Sequence, residues 1–136
     1  MIQRIQSVWL LLATIFIFLT LKLSFYTGTY LPVNAYHQLN GTGTILLMVT
    51  TIILGALTFF TIFLYKQRMV QMWLIILAIV IELLLVYLYY RETLKFSQGV
   101  YAITAALHIV VIIALIFAAR GINSDEKLIR SSDRLR

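Results

Sequence analysis

Two ionisable side chains stand where ionisable side chains are costly. Glu82 interrupts the run MWLIILAIVIELLLVYLYY and His108 interrupts GVYAITAALHIVVIIALIFAA. A charge at the centre of a bilayer costs about 2.5–3.5 kcal/mol on insertion scales. Residues in such places find a partner or stay neutral. A carboxylate and an imidazole together can carry a proton or bind a cation. They can also do something plainer, which is to clasp two helices in register through one hydrogen bond. The clasp is the simpler reading, because a transport path needs more polar groups than these two. The other polar residues in the apolar runs are mainly threonines, among them Thr14, Thr50, Thr51, Thr58, Thr61 and Thr104. Threonine hydroxyls commonly bond back to their own helix.

A second concentration of chemistry lies at the end, in SDEKLIRSSDRLR. Ser124 suits a helix N-cap, Asp125 and Glu126 suit a first turn, and Arg130, Arg134 and Arg136 suit a last one. Leu128, Ile129 and Leu135 give a narrow apolar stripe. The expectation is a short amphipathic helix after a stop at Gly121. At about 12 residues it needs a surface to lie on. Three are available: lipid headgroups, the bundle's own inner face including MIQRIQ, or another protein.

Much chemistry is missing. There is no cysteine, which removes disulfides, thiolate metal sites and cysteine nucleophiles. No phosphate-binding glycine loop, dinucleotide fingerprint or HExxH occurs, and no GxSxG. His37 stands alone in a loop, so no metal cluster is expected. The sequon Asn40-Gly41-Thr42 is too short a match to carry weight. The reading is of a protein that is not an enzyme, with no cofactor and no nucleic-acid partner.

The elements that must position these residues follow from composition. The chain has 136 residues, 62% hydrophobic and 12% charged, where a soluble domain carries about 25% charged. The apolar residues come in four blocks, and a spanning helix needs about 17–25 residues. The sequence therefore predicts an all-α fold, a polytopic membrane protein with helices over about 7–26, 44–65, 71–90 and 98–119. The first block has no small-residue cleavage site after it and is read as a retained helix. Its connection to the second, about 27–43, holds the only proline and reads as irregular. The other two connections, KQRMVQ and RETLKFSQ, are short enough to force antiparallel hairpins. With the third turn near Leu94 or Lys95, Glu82 and His108 sit roughly 20 Å below it on either side, at matching depth. Gly55 and Ala56, with Ala102, Ala105 and Ala106, allow close helix approach.

Orientation follows from lysine and arginine. With both termini inside, Arg4, Lys66, Arg68, Arg120, Lys127, Arg130, Arg134 and Arg136 are cytoplasmic, against Lys22, Arg91 and Lys95 outside. Eight against three favours both ends in the cytoplasm.

The opening MIQRIQSVWLLLA and the closing DEKLIRSSDRLR resemble a family of small four-helix inner-membrane proteins of Bacteroidetes, a domain of unknown function. Members start with an MIQRIQ-like stretch and end with a DExLVRSxDRLR-like one. Asp125, Glu126, Leu128, Arg130, Ser131, Asp133, Arg134 and Leu135 fit the closing pattern, and Ile129 stands where valine is common. The resemblance implies a location and no mechanism, and it points to the two ends as the functional surface. The domain reading is a four-helix bundle over residues 1–121 and a cytoplasmic amphipathic tail helix over 122–136. The functional expectation is a scaffold or accessory subunit that docks a larger membrane complex or a cytosolic protein through Gln3, Arg4, Asp125, Glu126, Arg130, Asp133 and Arg134. The alternative is a small proton- or cation-coupled carrier or channel component using Glu82 and His108. Homo-oligomerisation stays open.

Overall fold

A computed structural model describes the backbone of residues 2–133 and the side chains of residues 5–132. Four helices carry most of the chain: α1 (Ile2–Leu19), α2 (Ile45–Phe63), α3 (Arg68–Thr93) and α4 (Ala106–Asp133). Each packs on the next, and α1 closes the ring against α4 in the most extensive contact of the molecule. The buried positions repeat with one spacing in all four. They are Gln6, Leu10, Ala13 and Ile17 in α1, Leu47, Thr51, Leu54, Thr58 and Thr61 in α2, and Gln71, Ile75, Ala78, Glu82, Leu85 and Tyr89 in α3. Those of α4 are His108, Val111, Leu115, Ala118, Ile122 and Asp125. Alternating steps of three and four residues keep one seam facing inward and give the shallow left-handed crossing of bundles.

The surface outside that seam is apolar. Ile45, Leu46, Val49, Ile52, Ile53, Phe60 and Phe63 are exposed along α2, and Val80, Leu83, Leu84 and Tyr87 along α3. Contiguous apolar surface on this scale marks a membrane or a partner. Three segments, α2, α3 and Ile103–Ser132, are long and apolar enough to cross a bilayer, while the apolar part of α1, Ile5–Leu19, is shorter.

The all-α expectation needs correction. A three-stranded antiparallel sheet, β1 (Ser24–Tyr30), β2 (Ala35–Asn40) and β3 (Phe96–Tyr101), caps one end of the bundle in the order β2-β1-β3. β1 and β2 form a hairpin through LPVN, with Asn34 in the left-handed region at φ 50°. β3 comes from the connection expected to be a tight helical hairpin. Gly28 of β1 faces Gly99 of β3. A Cβ on Gly28 would collide with the carbonyl of Gln98, and one on Gly99 with Thr27 and the Tyr26 ring. The two glycines let these strands meet.

The sheet also moves helix boundaries. Helix one stops at Leu19 rather than about residue 26, because SFYTGTY is taken by β1. Helix four starts at Ala106 rather than about 98, because FSQGVY is taken by β3. At the other end α4 runs unbroken through Gly121 to Asp133. Gly121 is therefore no cap, and Ser124 starts no new helix. A Cβ at Gly121 would lie 2.7 Å from Gln6 Cγ, so the glycine is the place where α1 presses against α4. Ile122 and Asp125 are buried beyond it. At Ile122 and Asp125 α4 packs on α1, and from residue 127 to 132 it is exposed.

Candidate functional site

Glu82 occupies the middle of α3, on the inward seam three residues before Leu85. His108 lies in the first turn of α4. Glu82 Oε1 and His108 Nδ1 are 2.7 Å apart, and the side chains are 0% and 4% exposed. The matching depth expected from sequence is present, by a different route. From Glu82 to the end of α3 is about 17 Å at 1.5 Å per residue. The six residues of β3 span about 17 Å at roughly 3.3 Å per step. The strand thus covers the distance that a helix would have covered with about twice the residues, and it delivers His108 to the level of Glu82.

The pair has aromatic neighbours from three elements. Phe25 of β1 stacks on Tyr89 of α3 at 4.5 Å between ring centroids and meets the His108 ring edge-on at 5.5 Å. Tyr101 of β3 stands edge-on to Phe25 at 5.8 Å. Glu82 Oε2 and the Tyr89 hydroxyl are buried with no hydrogen-bond partner among the described residues. A buried polar atom left unpaired costs about 1–3 kcal/mol. The arrangement can hold a proton between Oε1 and Nδ1. Among the described residues no three His, Asp or Glu side chains cluster as a metal would require.

The residues expected to face a partner fare unequally. The side chains of Gln3, Arg4 and Asp133, and all of Arg134, lie outside the described residues. Asp125 is turned inward and accepts a 2.5 Å hydrogen bond from Gln6 Nε2, so it is used within the chain. Glu126 and Arg130 pair at 2.8 Å on the outer side of α4, next to exposed Lys127, Leu128 and Ile129. Gln6 of α1 and Asp125 of α4, 119 residues apart in sequence, are thus brought together.

Sequence reasoning treated Glu82 and His108 as unusual. The structure gives them company. Thr14 Oγ1 donates to Thr58 Oγ1 at 3.1 Å between α1 and α2, and Gln71 Nε2 to the Thr61 carbonyl at 3.2 Å between α2 and α3. Glu82 and His108 join α3 to α4, and Gln6 and Asp125 join α4 to α1. Among the described residues every adjacent pair in the ring has such a link. Gln6 and Gln71 were missed, although each sits on its helix's apolar period and so had to point inward. Phe25, Tyr89 and Tyr101 left no such signal, because their meeting depends on the sheet.

A family model described as Domain of unknown function (DUF4293) matches residues 2–135. No curated protein and no solved structure matches the chain.

Proposed function

We propose, from the premise that the chain belongs to the DUF4293 family, a domain of unknown function, that it is an integral inner-membrane accessory protein without enzymatic activity. Both termini are cytoplasmic in this reading, and the docking surface is built where they meet. The observation that supports it is the buried Gln6–Asp125 hydrogen bond, which joins the MIQRIQ stretch of α1 to the DEKLIRSS stretch of α4. Beyond that bond α4 stands clear of the bundle, and Lys127, Leu128, Ile129 and Arg130 are exposed around it. Two cations beside two aliphatic side chains suit an acidic partner with an apolar groove.

The test is purification of the intact chain in mild detergent beside Lys127→Glu/Arg130→Glu and Glu82→Gln. A partner in fixed stoichiometry with the intact chain and Glu82→Gln, lost from the double charge reversal, is the expected result. An unchanged protein set in all three removes the docking surface. A proton- or cation-coupled carrier would invert the pattern: Glu82→Gln would abolish ion flux into liposomes, and the charge reversal would leave it intact.

A further inference from the structure

We propose that the groove beside His108 binds a flat, lipid-soluble carbonyl compound of the quinone class. The inference rests on the membrane reading of the outer surface and is independent of the docking surface at the inner end.

The groove is a consequence of the sheet. Because α4 begins only at the level of Glu82, the outer part of α3 has no helical neighbour on that side. A strand, a 3-10 turn and three alanines stand there instead. The space left has a volume of about 430 Å³, with Leu83, Val86, Tyr101, Ile103, Ala106 and Ile109 among its walls. His108 and Phe25 also line it, and His108 and Tyr101 are its two lining side chains with polar atoms.

The protons on the pair decide what the groove can hold. A net charge here, away from water, is costly. Three arrangements are net neutral. In one, Glu82 is a carboxylic acid donating to Nδ1, and the neutral imidazole carries its hydrogen on Nε2. In a second, Glu82 is a carboxylate and the imidazolium carries hydrogens on both nitrogens. In the third, Nδ1–H donates to Oε1 and the acid proton sits on Oε2, which has no hydrogen-bond partner among the described residues, so a buried O–H would be left bare. The first two leave an N–H at Nε2. Nε2 makes no hydrogen bond among the described residues, whereas Nδ1 is held by Glu82. A donor facing apolar walls needs an acceptor.

A plain acyl chain would fill the volume and leave that donor bare. Ester carbonyls of membrane lipids lie at the interface, while His108 lies about 17 Å below the outer end of α3. A quinone-type ring supplies an acceptor at the depth of His108. It is flat and apolar enough to pack on the Phe25 and Tyr101 rings, which stand at 84° to each other and so present one face and one edge.

The experiment uses the intact chain with ¹⁵N-histidine in lipid nanodiscs. The probe is 2-methyl-1,4-naphthoquinone, and 2-methylnaphthalene serves as the same shape without carbonyls. The expected result is a saturable shift of the His108 Nε2 resonance with the quinone, none at His37, and none with the hydrocarbon. Ala106→Phe, at an exposed position on the groove wall that leaves the Glu82–His108 pair intact, should weaken the quinone response by about tenfold or more. Equal shifts from both probes, no shift from the quinone, or an unchanged response in Ala106→Phe would each overturn the proposal.

Discussion

A carboxyl group removed from water must share its proton or its charge, and Glu82 does so with His108 at 2.7 Å. Truncating one partner strands the other. Glu82→Leu should therefore lose about 1–2 kcal/mol of stability, read as unfolding of the purified protein in mixed micelles. Adding His108→Leu should restore most of that loss, because two apolar side chains need no partner. A double variant as unstable as the sum of the singles would mean that the two groups are not coupled. Gln6→Ala tests the same logic at the inner end. It leaves the buried Asp125 carboxylate short of its donor and should cost about 1–3 kcal/mol. The back-bonded threonines, such as Thr51 to the Leu47 carbonyl at 2.7 Å, satisfy themselves within one helix. The four links between helices are a different matter, since each binds two elements and sets where along their length they meet.

Among elements, β3 and α4 carry the least expected geometry. β3 can lie beside β1 because Gly28 and Gly99 face each other. Gly28→Val should prise the sheet apart at a cost of about 1–3 kcal/mol, seen as faster proteolysis in the 31–34 turn than in the parent. Unchanged cleavage would show that the strands tolerate a side chain there. α4 is one helix across Gly121. Amide exchange should be slow and continuous from Ile116 to Glu126, because α1 covers this stretch at Ile122 and Asp125. Fast exchange confined to 121–124 would restore the separate tail helix.

For the whole molecule, the two ends of the bundle differ in kind: a sheet at one, charged helix ends at the other. The sequence has no cysteine, so single cysteines report cleanly. With the proposed orientation, Val33→Cys in the β-hairpin turn should react with an impermeant maleimide in intact cells. Lys127→Cys on α4 should react only after the membrane is opened. The opposite pattern would reverse the topology and put the Gln6–Asp125 end of the bundle outside.

Composition and block length alone determined that the chain is mostly helical, that there are four helices, and that three of them are long and apolar enough to cross a membrane, because apolar runs of that size have few other homes. The same information placed Glu82 and His108 in the interior. The sheet was less legible. SFYTGTY and AYHQLN are rich in β-branched and aromatic residues around a Pro-containing turn, which is a strand signal, but FSQGVY merged into the apolar run that follows it. Only the tertiary structure decided which residues face one another. Pairing of β1 with β3 joins residues about seventy apart in sequence, and no local preference encodes such a contact. That pairing shortened helix four and brought Phe25, Tyr89 and Tyr101 around the buried pair. At the end of the bundle away from the sheet, packing of α1 against α4 turned the expected tail cap at Gly121 into a contact point. It also turned Asp125, a candidate for a partner's surface, toward Gln6.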